Sequence, residues 1–468
     1  METTVLKLQE SPVKKRIDDF LASPCYILMI MLLTAVSNMF AMELVVYTVF
    51  VLLATYVCLA GRDLLPLTPM VVCGYVSASV KSNPGKYAGG LFSMDGSGAY
   101  MLVLTAVILG ILSAYIIRNR KAFFARKRRL LWGMLALAGA YVLGGLFSPA
   151  YPKMAGKHMV FALLQAAAIL VPYYVLSGGI RWDEVRKDYF CWTGFGVGCL
   201  LLAQIVWIYL TGDIVENGVI NRRLIYTGWG MHNNIGGMMA MMIPFAFYLA
   251  SRYQRGWIGT VAGTAFLAGV FMSCSRSSIL AGCGIYLLCI FLMFRVAKNA
   301  KGNWAALIFA VTLALTGIVV FRHQLARLFW GLISMGADPS HRDEIWNAGW
   351  KQFLKHPVFG GSFYPIGYVP WDFSEVASFS GFFPPRWHNT IVQLLACSGI
   401  VGLAAYVLHR VQTVILLLKG FNREKIFIGC SILVLLGTSM LDCHFFNIGP
   451  AMFYAMGLAF AENCDDHN

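Results

Sequence analysis

The sequence predicts an all-α protein that crosses a membrane many times. Hydrophobic residues occupy 58% of its 468 positions and the mean hydropathy is +0.66, whereas soluble globular chains contain about 45 to 50% apolar residues. Charged residues make up only 13% and are bunched between apolar runs long enough to cross about 30 Å of hydrocarbon as helices. The runs are continuously apolar and lack the alternation of β-barrel strands, so we expect a helical bundle.

The apolar runs predict about fourteen transmembrane helices. The first two cover residues 26–40 and 44–60 and form an uncleaved hairpin rather than a signal peptide. The third is the shortest, because Pro66 and Pro69 open it, and twelve or thirteen spans remain as alternatives. The later spans are centred near Val72, Ile108, Leu137, Ala167, Leu200, Met241, Phe266, Tyr286, Val311, Gly402, Val434 and Met456.

The basic residues at 126–129 set the expected orientation. Because cytoplasmic loops carry an excess of lysine and arginine, the loop at 118–129 should be cytoplasmic. An even number of spans then places both termini in the cytoplasm and the loops 81–98, 211–232 and 322–387 on the extracytoplasmic side. We divide the chain into N-terminal spans (1–210), spans that carry candidate arginines (211–321), a long loop with a helix at 341–356 (322–387), and C-terminal spans (388–468).

Several function classes are disfavoured by the composition. The net charge of +15 arises from basic residues at helix ends, which favours membrane orientation over nucleic-acid binding. Most of the 12 cysteines lie inside apolar runs, and their spacing suggests neither a disulfide framework nor a zinc site. A transporter or lipid flippase is the alternative class, but the sequence shows neither internal repeats nor noteworthy charges at the bilayer midplane.

Three arginines on the predicted extracytoplasmic side run against the positive-inside bias. Arg222 and Arg223 occur in NRRLIYTGWGMHNNIGG, and Arg276 occurs in SCSRSS. A guanidinium group binds a diphosphate through paired hydrogen bonds, and a diphosphate is the leaving group when a sugar departs from a polyprenyl diphosphate. The alternative interpretation is that these side chains anchor helix ends in the lipid headgroups.

A third candidate element precedes the twelfth span in PPRWHNTIVQLL. Arg386, a candidate substrate-binding residue, and His388 lie there, and Gly399 and Gly402 are expected to break or thin the following helix. An imidazole can accept the proton of a sugar hydroxyl as its oxygen attacks an anomeric carbon. Alternatively, His388 caps the helix or bonds to Asn389. The extracytoplasmic carboxylates include no Asp-x-Asp pair, so we expect no metal site.

These motifs together resemble those of the O-antigen polymerase and O-antigen ligase family. The segments RLIYTGWGMHNNIGGMMA, SCSRSSILAG and HNTIVQLLACSGIVGLAAY, with RDEIWNAGWKQFLKHPVFGGSF between the last two, match in order and sidedness over about residues 200–420. The resemblance implies a GT-C-type fold, a polyprenyl-diphosphate-linked oligosaccharide donor, and a glycan or glycolipid acceptor. It also implies a metal-independent, inverting transfer without a cofactor.

The resemblance assigns roles to individual residues. Arg223 and Arg276 match the diphosphate-binding arginines, and His388 matches the catalytic histidine. Arg342, in RDEIW, falls on a recurrent family position with a structural role, and it is kept among the candidate substrate-binding residues. His232 stands where the family often has Asn-Pro-Asn-like residues, and it is either a second polar contact to substrate or a helix cap.

The resemblance implies one of two activities. A polymerase joins repeat units on lipid carriers, and the fourteen spans favour it; a ligase transfers the glycan to lipid A core or another acceptor. Either enzyme would lie in the bacterial cytoplasmic membrane with its active site on the extracytoplasmic face. A flippase and a chain-length regulator would be its partners, and nucleic acid would not.

Overall fold

The computed structural model describes residues 11–40, 42–79, 96–147, 155–180, 182–212, 214–330, 334, 342–361, 363 and 386–465. Parts of the predicted loops 81–98 and 322–387 therefore lie outside the described residues. The helices are α1 (Pro12–Leu21), α2 (Pro24–Phe40), α3 (Glu43–Ala60), α4 (Leu67–Ser79), α5 (Gly96–Arg118), α6 (Arg120–Ala125), α7 (Leu131–Leu146), α8 (Ala155–Gly179), α9 (Glu184–Thr211), α10 (His232–Arg252), α11 (Trp257–Met272), α12 (Arg276–Val296), α13 (Ala300–Val320), α14 (Arg322–Leu328), α15 (Arg342–Lys355), α16 (Thr390–Leu418), α17 (Arg423–Ser439) and α18 (Ile448–Glu462).

The helices confirm the predicted all-α membrane architecture. Every predicted span centre lies inside a helix, as do the two N-terminal apolar runs. Among the described residues, 7 helices are long and apolar enough to cross a membrane on their own, and α1 with α2 would form an eighth span with a 65° bend. Helices α4, α5, α7 and α11 contribute shorter apolar segments. The count of fourteen spans stays a prediction.

Helix α10 is the central helix on which the site is built. Its apolar window is 94% buried, and it packs against α9, α11, α12 and α17. Two glycines permit close approach near its beginning, since a Cβ atom on Gly236 would lie 2.3 Å from Ser273 Oγ and one on Gly237 would lie 2.3 Å from His444 Cε1. Small residues allow such contacts between membrane helices. The first turns of α10 therefore contact two turns that are distant in sequence.

The predicted interruption of the twelfth span is confirmed at Gly399. Its φ of +61° interrupts α16, and this left-handed conformation favours glycine. The segment after α15 bonds to the break, with Ile400 N donating to Pro357 O at 2.8 Å and Gly361 N donating to Ala396 O at 2.8 Å. These bonds satisfy backbone groups that a broken helix would leave unpaired in the membrane. Helix α15 also confirms the helix predicted at 341–356.

Two short hairpins occupy the segment between α9 and α10. Strand β1 (Val215–Glu216) pairs with β2 (Val219–Ile220), and β3 (Tyr226–Thr227) pairs with β4 (Gly230–Met231). A single turn of 3-10 helix, Arg222–Leu224, separates the hairpins. The sequence prediction missed them, because two-residue strands are too short to produce a pattern of alternating hydrophobicity. They hold Arg222 and Arg223 in a defined turn beside the start of α10.

Candidate active site

His388 lies at the beginning of α16 in an unusual backbone conformation. Its φ is +51°, a left-handed value that is uncommon for residues other than glycine and that occurs often at functional sites. The helix cap is supplied by the next residue, since Asn389 Oδ1 accepts hydrogen bonds from Ile391 N at 2.9 Å and Val392 N at 3.2 Å. The interpretation of His388 as the cap is therefore wrong. Its Nδ1 instead contacts Asp442 Oδ1 at 3.0 Å.

Asp442 is a buried carboxylate in the segment between α17 and α18. Its backbone N donates to Thr438 O at 2.8 Å, and its Oδ2 lies 4.0 Å from His444 Nε2. Burial raises the pKa of Asp442, but the hydrogen bond from His388, together with the electrostatic effects of His444, His388 and Arg342, outweighs burial and lowers it below the usual value for aspartate. The side chain is therefore an ionised hydrogen-bond acceptor.

The contact with Asp442 orients the ring of His388. A carboxylate on Nδ1 holds the proton there, so that Nε2 carries the lone pair. The His388 side chain is 26% exposed, whereas that of Asp442 is 12% exposed. A neutral imidazole in this orientation can act as a general base, as in other catalytic histidine and carboxylate pairs.

Asp442 is the site residue that the sequence reasoning missed. It is separated from His388 by 54 residues and belongs to no motif discussed above. Its only signal is local: an acidic residue in the segment TSMLDCHFFN, between two apolar runs. Ionisable residues in such surroundings are uncommon and often functional. That rule would have selected Asp442 as a candidate, without indicating its partner.

Three arginines converge beside this pair. Arg222 lies in the 3-10 turn, Arg276 begins α12, and Arg342 begins α15. Burial lowers the pKa of Arg222, and the charges of Arg276, Arg223 and Arg342 lower it further. Burial likewise lowers the pKa of Arg342, with Asp442 opposing and Arg276 reinforcing that change. Guanidinium groups that lie close enough to lower one another's pKa form a strongly positive site suited to an anion.

The helix beginnings add to this positive potential. The N-cap of α12 is Ser275, whose Oγ accepts from Ser278 N at 3.4 Å, and Ser278 Oγ donates to Asn233 O on α10 at 3.4 Å. The first turns of α10 and α12 are thereby joined. Helix N-termini carry positive partial charge and unpaired N–H groups, both of which favour phosphate.

The remaining predicted residues occupy different surroundings. Arg223 is exposed at the edge of the cluster, and its backbone N donates to Asn221 Oδ1 at 3.1 Å. Arg386 donates from its guanidinium to Cys443 O at 3.2 Å and to Asn447 Oδ1, so it ties the start of α16 to the segment that carries Asp442. Both were predicted to bind substrate, and those roles stay predictions.

His232 is the first residue of α10 and is buried. The N-cap of α10 is Met231, whose side chain makes no capping hydrogen bond, and His232 follows it as the first helical residue, so the capping interpretation of His232 is wrong. Within the described part of the chain His232 Nδ1 has no hydrogen-bond partner, and the ring lies within electrostatic range of Arg222 and Asp442. Its position between the arginines and the carboxylate is compatible with a contact to substrate.

A family model described as O-antigen ligase matches residues 261–407. This segment is similar to that family and contains Arg276, Arg342 and His388, which supports the predicted O-antigen ligase and polymerase family. The match supports an O-antigen ligase or polymerase role, with a lipid-linked glycan donor and an acceptor in a membrane. No curated protein and no solved structure matches the chain.

Proposed function

We propose that this protein is a glycosyltransferase that polymerises polyprenyl-diphosphate-linked oligosaccharide units on the extracytoplasmic face of the bacterial cytoplasmic membrane. The observation that carries the proposal is the 3.0 Å contact between His388 Nδ1 and Asp442 Oδ1 beside Arg222, Arg276 and Arg342. A base and a cluster of cations are the two requirements for attack of a hydroxyl on a glycosyl diphosphate.

His388 acts as the general base in this mechanism. The acceptor hydroxyl donates its proton to Nε2 as its oxygen forms a bond to the anomeric carbon of the donor. Asp442 holds the ring proton on Nδ1, so that Nε2 can accept the proton of the acceptor hydroxyl. Asp442 also stabilises the imidazolium that forms. General acid and base catalysis contributes about 10²- to 10⁴-fold to a rate, so this histidine should dominate the effect of single substitutions.

The arginines stabilise the leaving group. The bond between the anomeric carbon and the diphosphate oxygen breaks, the oxygen keeps the electron pair, and negative charge increases on the diphosphate. Arg222, Arg276 and Arg342 would hold that charge through paired hydrogen bonds, supported by the helix beginnings. Because the hydroxyl enters opposite the leaving diphosphate, the configuration of the sugar inverts. The diphosphate linkage itself supplies the energy.

A ligase is the second candidate, because the matched family model is described as O-antigen ligase and is compatible with either activity. Ligase and polymerase share the donor chemistry above and differ in the acceptor. The polymerase acceptor is another polyprenyl-diphosphate-linked unit, whereas the ligase acceptor is lipid A core or a comparable glycolipid. Incubating purified protein with donor and each acceptor in turn separates the two activities by product mass.

The test of the chemistry is a pair of histidine variants. We expect His388→Ala to lower the rate of transfer from a polyprenyl-diphosphate oligosaccharide by about 10²- to 10⁴-fold. His323→Ala is the matched control, because His323 lies exposed on α14 outside the site, and its rate should equal that of the wild type. A His388→Ala rate within a few-fold of wild type would refute the assignment and direct attention to His232.

A further inference from the structure

A large apolar cavity lies beside the site, between α3, α4, α5, α8 and α18. Its volume is about 570 Å³, within the range of about 300 to 1,000 Å³ typical of ligand sites. The side chains that line it are mainly aliphatic and aromatic, including Phe50, Met70, Ile108, Leu112, Ala168 and Met452. The mechanism above makes no use of this space.

The polar groups in the cavity wall are already bonded within the protein. Tyr47 Oη and Thr105 Oγ1 lie 2.7 Å apart, and Gln165 Nε2 donates to Phe445 O at 3.0 Å. Thr55 Oγ1 donates to a carbonyl of its own helix at 2.8 Å. A cavity with such walls holds hydrocarbon better than water or sugar, because it offers few hydrogen-bonding groups to a polar occupant.

The cavity is elongated along the bundle and reaches the exposed surface. Phe161 and Leu176 of α8 both line it, and at 1.5 Å per residue they are separated by about 22 Å, more than half of a hydrocarbon core of about 30 Å. Leu109 of α5 and Val171 of α8 also line it and are 51% and 37% exposed. A long chain could therefore enter sideways from the bilayer between α5 and α8.

One end of the cavity is polar and adjoins the site. Arg386, Asn234 and Asn447 line this end, and Asn447 Nδ2 donates to Asn234 Oδ1 at 2.6 Å. Arg386 contributes a positive charge suited to a phosphate headgroup. The cavity therefore has an apolar body and a cationic end, which matches the charge distribution of an anionic lipid.

The cavity and the arginine cluster lie on different sides of α10. Arg222, Arg276 and Arg342 are not among the residues that line the described cavity. His232, which lies near Arg222, and Asn234, which lines the cavity, are two residues apart on α10 and therefore point to roughly opposite faces of the helix. The first turn of α10 separates a compartment for diphosphate from a compartment for hydrocarbon.

We propose that this cavity binds the polyprenyl chain of the acceptor, with the phosphate of the acceptor at Arg386. The inference rests on the proposed function, in which the donor diphosphate occupies the arginine cluster. In an inverting displacement the acceptor hydroxyl and the leaving group lie on opposite sides of the anomeric carbon. A lipid anchored in the cavity brings the acceptor sugar to His388 from the side opposite the arginines.

The test uses one substrate analogue that can serve only as acceptor and one that can serve only as donor. In the acceptor analogue a methylene group replaces the oxygen between sugar and diphosphate, so its glycan cannot be transferred. In the donor analogue the terminal hydroxyl is methylated, so it cannot attack another sugar. A lipid-free oligosaccharide with the same sugars is the second acceptor. Ala167→Trp adds bulk at a position of α8 that lines the cavity, and Leu163→Trp, one turn away on the same helix, is the matched control, because Leu163 is exposed like Ala167 but does not line the cavity.

The measured quantity is the KM for the lipid-linked acceptor divided by the KM for the lipid-free acceptor. We expect Ala167→Trp to raise this ratio by about tenfold and Leu163→Trp to leave it unchanged. If Ala167→Trp raised the KM of the donor and not that of the acceptor, the donor chain would occupy the cavity and the proposal would be overturned. An unchanged ratio in Ala167→Trp would overturn it as well.

A binding readout keeps this inference separate from the proposed function. A photoreactive benzophenone amino acid at position 167 should crosslink the non-donating acceptor in the wild-type background, and the lipid-free oligosaccharide should not compete. Crosslinking only to bulk phospholipid would refute the cavity assignment. If the wild type failed to transfer sugar from the polyprenyl-diphosphate donor, the proposed function would fail, while the crosslink would still report on the cavity.

Discussion

Helices α10 and α13 have the same length but opposite environments. Each contains 21 residues; α10 has a mean hydropathy of 1.3 and is 94% buried, whereas α13 has a mean hydropathy of 2.0 and is 22% buried. The less apolar helix is therefore the more buried. In a membrane protein lipid is as apolar as a hydrophobic side chain, so hydropathy indicates which segments lie in the bilayer but not which of them lie inside the protein.

The difference follows from what each helix contacts. Helix α10 carries glycines and polar residues that contact the turns bearing Ser273 and His444. Helix α13 exposes large apolar side chains such as Ile308, Phe309 and Leu313. Polar and small residues in an apolar segment indicate contacts with other helices or with substrate. The site is accordingly built around α10.

Among the substitutions that test this comparison, the largest effect is expected at Asp442, the carboxylate that lies next to α10. Asp442→Asn keeps the shape of the side chain but removes the charge that orients His388, so transfer should fall by about 10²-fold or more. Initial rates with purified protein provide the measurement. The control is Asp19→Asn, because Asp19 is exposed and pairs with Arg62 far from the site in sequence. An unchanged rate in Asp442→Asn would show that the contact only supports the fold.

The comparison of α10 with α13 is tested directly by a pair of glycine variants. A Cβ atom on Gly237 would lie 2.3 Å from His444, whereas one on Gly317 of α13 would meet no atom within 4 Å. Gly237→Ala should lower the free energy of unfolding by about 1 to 3 kcal/mol, a typical cost of overpacking, and should also lower the transfer rate. Gly317→Ala should change stability by less than about 0.5 kcal/mol.

Thermal unfolding in detergent measures both glycine variants. Equal midpoints for Gly237→Ala and Gly317→Ala would contradict the close packing of α10 on the segment that bears His444. A loss of activity in Gly237→Ala without a loss of stability would instead show that the segment moves while the bundle stays intact.

Single Arg→Lys substitutions should have larger effects at the half-buried Arg222 and Arg276 than at the exposed Arg223. Arg222→Lys and Arg276→Lys keep the positive charge but lose the paired hydrogen bonds, so the transfer rate should fall by about tenfold or more. Arg223→Lys should have a smaller effect, because Arg223 is exposed at the edge of the cluster. The resemblance assigned the diphosphate role to Arg223. A larger loss in Arg223→Lys than in Arg222→Lys would favour that assignment over one to the half-buried Arg222.

The smallest expected effect concerns pH and stability. The pKa of Asp442 is lowered in the folded protein, so its ionised form contributes stability above the pKa of unfolded aspartate, about 3.9. That contribution is lost as the pH falls through the lowered value. The difference in unfolding midpoint between wild type and Asp442→Asn should be constant from pH 5 to 8 and should shrink below about pH 4. A difference that changed between pH 5 and 8 would show that another group titrates with it.

Local sequence patterns were sufficient for much of this protein. The position of each predicted span follows from a run of apolar residues, since hydropathy is a property of a single segment. Gly399 was expected to interrupt its helix, and the structure places the break there. Arg222, Arg223 and Arg276 were selected because arginines on the predicted extracytoplasmic side run against the positive-inside bias, and His388 was selected because it lies at the start of a predicted span.

Only the tertiary structure decided how these residues meet. The partner of His388 is 54 residues away, and no local pattern links the two. Whether Arg222 or Arg223 turns toward Arg276 depends on the two hairpins, whose strands are too short to be predicted. The apolar cavity combines residues from six α-helices, and an apolar side chain has the same hydropathy whether it faces lipid, protein or a cavity. Hydropathy therefore determines which segments form helices, while packing between distant segments determines the site.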